Sequence, residues 1–268
     1  MTFSMFLEIA GMLFTSIIAV LIPLYIGQHY GQSYNKQSAH NSHDSIGSVV
    51  SAVFGLLAFM LAFTFQIAAN RYDARKTSLL TEVKDTRTTY LRAGLIPEPY
   101  RSQSKKYLVE YVNLRVEIVK DYSRVDVAMS KSQQILDSLW KYAEDLAAVD
   151  RSSEAYALYT TSINDMVDAY NERVTMVLVY RIPSVVMWVL AINMFLSMLV
   201  LGYQFGVSGK SNFKINLVLA FLFSLVILLI FVLDRPDRGF VQINQTPLLT
   251  LQKEIQNKQL QENRAIVP

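Results

Sequence analysis

Three observations predict an all-α membrane protein, with four transmembrane helices in two pairs flanking a cytoplasmic helical bundle. The 268 residues are 52% hydrophobic and only 18% charged, whereas a soluble domain carries about a quarter charged residues. Four apolar runs, residues 5–26, 46–69, 183–205 and 215–233, match the roughly 20 residues that cross a hydrocarbon core of about 30 Å at about 1.5 Å per residue. Between the two pairs, residues 71–181 hold 17 of the basic and 16 of the acidic side chains. The absence of cysteine excludes a disulfide framework, thiolate catalysis and cysteine-ligated metal sites. A net charge of +3 is too small to point to nucleic acid.

The first run follows Met1, Thr2, Phe3 and Ser4, which lack the basic start of a signal peptide. It continues through Pro23 and Tyr25 into Gln28, His29 and Tyr30 without a small-x-small cleavage site, so it reads as a retained span. Its one charge, Glu8, would cost about 2.5–3.5 kcal/mol at the bilayer centre and is expected at the interface. Residues 28–44 read as an external loop. In the second run Ser51, Gly55, Ala58 and Ala62 recur at helical spacing and would let another helix approach closely on that face. Phe59 and Phe63 stand one turn apart beside them. From the pattern alone, these are packing or lipid-facing rings.

No boundary signal separates Ala69 from Arg71, so the second span is expected to run on into the cytoplasm. Apolar residues of the charged segment recur at three and four: Leu80, Val83 and Leu91; Leu108 to Val119; Ile135 to Leu146; Tyr159 to Val177. That spacing predicts four helices and no strands. Breaks fall at Gly94 with Pro97 and Pro99, near residues 122–125 and near 150–153, because proline removes a donor and restricts its predecessor. The fourth helix is expected to reach the third span with a kink at Pro183. The two spans of the second pair join through a short turn at residues 206–211. Residues 234–239 form a turn of Asp, Pro and Gly. Thr246 is expected as the N-cap and Pro247 as the first residue of a last amphipathic helix, residues 248–263, packed on the bundle.

The expected organisation is therefore 1–70 for the first helix pair, 71–182 for the cytoplasmic helical domain, 183–233 for the second pair and 234–268 for a cytoplasmic tail. Orientation follows the count of Lys and Arg near the membrane ends. Ten lie on one side, from Arg71 to Lys253, and three on the other, Lys36, Lys210 and Lys214, which puts both termini in the cytoplasm.

Reactive constellations are scarce. His40 and His43, with His29 and Asp44, fall in the external loop; two histidines at that spacing could bind a transition metal or sense pH, but a solvated polar loop accounts for them. No phosphate loop, nucleophile elbow or calcium loop occurs. Neither enzyme, metal site nor cofactor is expected.

One set of motifs carries more. The run Gly55-Leu-Leu-Ala-Phe-Met-Leu-Ala-Phe-Thr-Phe, Arg71-Tyr72-Asp73, Tyr90-Leu91-Arg92-Ala93, Leu95-Ile96-Pro97-Glu98-Pro99, Asp234-Arg235-Pro236 and Gly239-Phe240 resembles the bestrophin-like domain family over about residues 48–249. Through it the chain is more remotely similar to bestrophins, pentameric anion channels with two helix pairs around a cytoplasmic helical domain. The resemblance implies a pore neck on the second span. Ala58-Phe59, Ala62-Phe63 and Arg71-Tyr72 fit the neck spacing, while Gly55 stands where a branched aliphatic is usual and would shorten the constriction. Bestrophins also bind calcium through an acidic cluster after the last span. Here Asp234 and Asp237 alternate with Arg235 and Arg238, which departs from that cluster.

The expectation is a homo-oligomeric ion channel in the bacterial inner (plasma) membrane. The resemblance implies a pentamer in membrane lipid and small inorganic anions as the permeant species. The pore would be lined by Gly55, Phe59, Ala62 and Phe63, with Arg71 at its mouth. The competing reading is a non-conducting membrane scaffold that binds a partner through its cytoplasmic helices. A secondary transporter is disfavoured because no intramembrane charge pair or broken-helix repeat is evident.

Overall fold

The computed structural model describes residues 3–37, 43–120, 122–178, 181–209, 212–235 and 243–266. Among them every regular element is helical: α1 (Phe3–Gln37), α2 (His43–Arg92), α3 (Tyr100–Lys120), α4 (Val125–Val149), α5 (Glu154–Leu178), α6 (Ser184–Ser208), α7 (Phe213–Asp234) and α8 (Thr246–Ile266), with single 3₁₀ turns at Ala93–Leu95 and Tyr122–Arg124. Four helices are long and apolar enough to cross a membrane. The chain divides into two compact units. The first holds residues 1–72 and 181–242, the second residues 73–180 and 243–268, and α2 contributes to both.

In the first unit α1 and α6 pack at backbone contact. A Cβ on Gly27 would stand 2.0 Å from the Leu199 carbonyl oxygen, and one on Gly31 2.3 Å from that of Tyr203. Reciprocally, a Cβ on Gly202 would meet the Leu24 oxygen at 2.0 Å and one on Gly206 the Gln28 oxygen at 2.3 Å. Residue numbers rise together on both helices, so the two run parallel. Each presents Gly-x-x-x-Gly, the spacing that removes side chains from one stripe. Residues 28–37, read from the sequence as part of an external loop, are helical and continue α1, and Gly31 carries its seam with α6 beyond Gly27.

Helix α7 also lies against α1, and Phe54 of α2 meets Phe223 of α7 edge to face at 6.0 Å. Val20, Leu24, Leu57, Leu61, Met198 and Ala220 form the buried centre. The buried hydroxyls of Thr64 and Ser197 bond within their own helices, Thr64 to the Met60 carbonyl at 2.8 Å and Ser197 to that of Asn193 at 2.7 Å, which satisfies them without a partner from another helix. Helix α6 runs to Ser208 and ends at Gly209 with φ 63°, the left-handed conformation glycine favours. Asn212 caps α7 by accepting the Lys214 N–H at 3.0 Å. At the other end of α6, residues 181–183 are non-helical. Pro183 therefore begins α6 and does not kink a continuous helix, and the free Ile182 N–H finds the Asp234 carboxylate at 3.0 Å.

In the second unit the C-terminal part of α2, α3, α4, α5 and α8 enclose a core that includes Leu79, Leu108, Leu136, Leu139, Tyr159, Ile163, Met166 and Leu251. Breaks occur at the proline and polar clusters. Glu98 caps α3 by accepting the Ser102 N–H and hydroxyl. Asp150 accepts the Ser152 N–H at 2.9 Å, turning the chain before Ser153 accepts the Tyr156 N–H at 3.4 Å at the start of α5. At α8 the cap differs from expectation: the Asn244 side chain accepts the Thr246 N–H at 2.9 Å and its hydroxyl at 2.6 Å, so Thr246 lies inside the first turn. Leu248, Leu251 and Ile255 enter the core, and Gln252 donates to Asn113 of α3 at 2.8 Å.

Candidate functional site

Helix α2 has two contrasting faces within the first unit. Leu57, Leu61, Thr64 and Ala68 recur at helical spacing and are buried. On the other side Gly55, Ala58, Phe59, Ala62 and Phe63 are exposed, Phe59 at 64% and Phe63 at 50%. The two rings stack on each other, centroids 6.3 Å apart and planes 13° from parallel, as an i, i+4 aromatic pair does along one helix face. Nothing lies within 4 Å of a Cβ built on Gly55. Among the described residues no helix covers the small-residue stripe, and the close glycine contact between helices of the chain is that of α1 and α6.

Below the rings the same face turns polar. Gln66 Nε2 donates to Asn70 Oδ1 at 2.7 Å, and both residues are exposed. At about 100° per residue, Phe59, Phe63, Gln66 and Asn70 lie within about 60° of one another around the axis. Arg71 is half-buried and stands about 120° from Phe59, so it borders this line without belonging to it.

The other sequence-predicted positions are dispersed. Glu8 and His29 are exposed. His40, the His43 side chain and the 236–242 segment with Asp237 and Arg238 lie outside the described residues. Among the described residues no three His, Asp or Glu gather into a group that could hold a metal. Asp234 accepts the Ile182 N–H at the start of α6.

Sequence reading missed the most strongly coupled polar group, a buried cluster in the second unit. Glu82 of α2 pairs with Arg115 of α3 at 2.8 Å and with Arg173 of α5, and Tyr111 donates its hydroxyl to the same carboxylate at 2.5 Å. Burial alone would push the Glu82 carboxyl up, but the two guanidiniums and the phenol hold it down at about 2. Burial and the neighbouring carboxylate push the Tyr111 phenol well above its ordinary range, so it stays a donor. Arg115 also lies over the Tyr170 ring at 5.5 Å. The three helices are joined here by charge as well as by apolar contact.

The sequence model of one family, the Bestrophin-like domain, matches residues 9–248. No curated protein matches the sequence. Among solved structures, a point variant of a bacterial bestrophin homologue from Klebsiella pneumoniae is 14% identical, with a TM-score of 0.64 over 93% of this chain and 98% of that one. A second, described as a membrane protein carrying a point substitution, is 15% identical, with a TM-score of 0.62 over 95% and 97%. At these identities the likeness is one of fold.

Proposed function

The chain belongs to the bestrophin-like domain family, and from that premise we propose that it is a homo-oligomeric ion channel passing small inorganic anions through a neck lined by α2. One observation carries the reading: Phe59 and Phe63 are stacked and exposed on the face of α2 opposite its buried residues. Repeated around an oligomer axis, these rings form a hydrophobic constriction that gates by dewetting, and their electropositive edges suit a passing anion. Gly55 and Ala62 flank the rings with little bulk. That lets a neighbouring copy's helix seat beside them. Arg71, off the ring line, adds positive potential at the cytoplasmic mouth rather than a contact ring. The subunit number follows bestrophins, five.

The membrane assignment rests on the four apolar helices. The excess of Lys and Arg on one side supports cytoplasmic termini and a cytoplasmic second unit, and a bacterial inner membrane is the setting proposed. The test is current through purified protein reconstituted in planar bilayers. Phe59→Ala and Phe63→Ala should raise conductance by widening and wetting the neck, with the double variant largest. Absence of current in the wild type, or currents indifferent to both substitutions, would overturn the reading. A stoichiometric protein partner without current would instead favour the scaffold.

A further inference from the structure

We propose that Gln66 and Asn70, repeated around the oligomer axis, form a carboxamide ring just below the phenylalanine neck that binds partly dehydrated monovalent anions. The inference rests on the channel reading above and names the residues that recognise the ion. Three features carry it.

The first is position. Gln66 follows Phe63 by three residues, about 4.5 Å along the axis, and Asn70 by seven, on the same exposed line of α2. The second is polarity. A primary amide turned toward lipid chains is costly unless it is satisfied, and these two side chains meet each other while remaining exposed. A face that carries two such groups beside the rings is suited to water and ions.

The third is the direction of the bond. Gln66 donates and the Asn70 oxygen accepts. The Asn70 oxygen is thus partly engaged, and both Asn70 N–H groups are left to meet an ion. Gln66 keeps one further N–H and one free oxygen. Neutral amide donors bind an anion weakly enough to release it, as conduction demands. Arg71 supplies positive field from the side of the helix. Asp73, the nearest acid in sequence, is exposed and is the control residue for charge.

The natural absence of cysteine makes the experiment direct. Full-length Gln66→Cys, Asn70→Cys and, as a comparison at an exposed α7 position, Leu222→Cys are reconstituted. Their modification by an anionic and a cationic methanethiosulfonate is followed by intact mass, with and without thiocyanate. Gln66→Cys and Asn70→Cys should react faster than Leu222→Cys. Thiocyanate should slow the anionic reagent at Gln66→Cys, where the Asn70 donors remain, by about fivefold, the worth of one net hydrogen bond. At Asn70→Cys, where only the Gln66 donors remain, protection should be smaller. In current recordings Asn70→Leu should lower the thiocyanate-to-chloride permeability ratio by a similar factor, whereas Asp73→Asn leaves that ratio unchanged.

Thiols no more reactive than Leu222→Cys would overturn the ring. Preference for the cationic reagent would overturn the anion assignment in favour of a cation at the Gln66 oxygen. Currents sensitive to Phe59→Ala but with an unchanged permeability ratio in Asn70→Leu would overturn the ring and leave the channel standing. Absence of current overturns the channel reading, while thiocyanate protection, read by mass, still decides whether the amides bind an anion.

Discussion

Glu82 shows how one side chain couples three helices. Two guanidiniums share its carboxylate, and removing that carboxylate strands the buried Arg115 and the half-buried Arg173 without a counter-charge, which costs about 3–5 kcal/mol. Glu82→Gln, nearly the same shape, should therefore lower the unfolding temperature of detergent-purified protein sharply, and Glu82→Asp should recover part of the loss. The sign of the pH effect follows from the carboxyl being held at about 2 against an ordinary 4.5. The folded state binds the proton less readily than the unfolded chain, so the contribution is complete above about pH 4.5 and is lost as pH falls toward 2. Melting curves should show the gap between wild type and Glu82→Gln constant from neutrality to about pH 5 and closing below pH 4. A gap independent of pH would mean that Glu82 acts by shape and not by charge.

Two glycine stripes on different helices do different work at the level of elements. Along the α1–α6 seam the atoms met by an added Cβ are backbone carbonyl oxygens at 2.0–2.3 Å, which cannot swing aside as a side chain can. Gly202→Ala and Gly27→Ala must force the helices apart, and both should reduce folded yield and unfolding temperature. Gly55 has open space around it. Gly55→Ala should leave the chain's own fold intact and gain from alanine's better helix propensity, about 0.5–1 kcal/mol. Gly55→Leu should fold, keep the oligomer's mass in light scattering and lengthen the constriction, so that conductance in planar bilayers falls. Unchanged conductance in Gly55→Leu would show that residue 55 does not face the pore.

Sidedness is the prediction that concerns the whole molecule. In the proposed topology, which puts both termini in the cytoplasm, Ser33→Cys near the end of α1 should react with an impermeant maleimide in intact spheroplasts, and Ser138→Cys on α4 only after the membrane is opened. The reverse pattern would invert the topology.

Helices with local causes were legible in advance. The apolar runs identify α1, α2, α6 and α7 by length alone, and the unbroken passage from Ala69 to Arg71 shows α2 continuing to its stop at Gly94 and Pro97. Asp150 and Ser153 mark the turn before α5 because their side chains bond to backbone two or three residues away. The stacked Phe59–Phe63 pair was legible for the same reason, since i, i+4 spacing is a property of one helix.

What lay beyond the sequence reading depends on partners distant in the chain. The Gly-x-x-x-Gly spacing of residues 27–31 and 202–206 is written in the sequence, but its pairing across 175 residues is not, and α1 stays helical past residue 28 along that seam. Glu82, Tyr111, Arg115 and Arg173 read singly as ordinary charged or polar positions on helix surfaces; only their convergence removes them from water and holds the carboxyl near 2. Pro183 was visible as a disturbance, but whether it kinks a helix or starts one was decided by Asp234 arriving to take the Ile182 N–H. Hydropathy and periodicity act within a few residues, and for that reason they sufficed for the helical class, the four apolar spans and most of the breaks, while the far end of α1 and the start of α6 lie against residues distant in the chain. The tertiary structure alone decided which stripe is filled and which stays open, because burial depends on what the rest of the chain brings alongside.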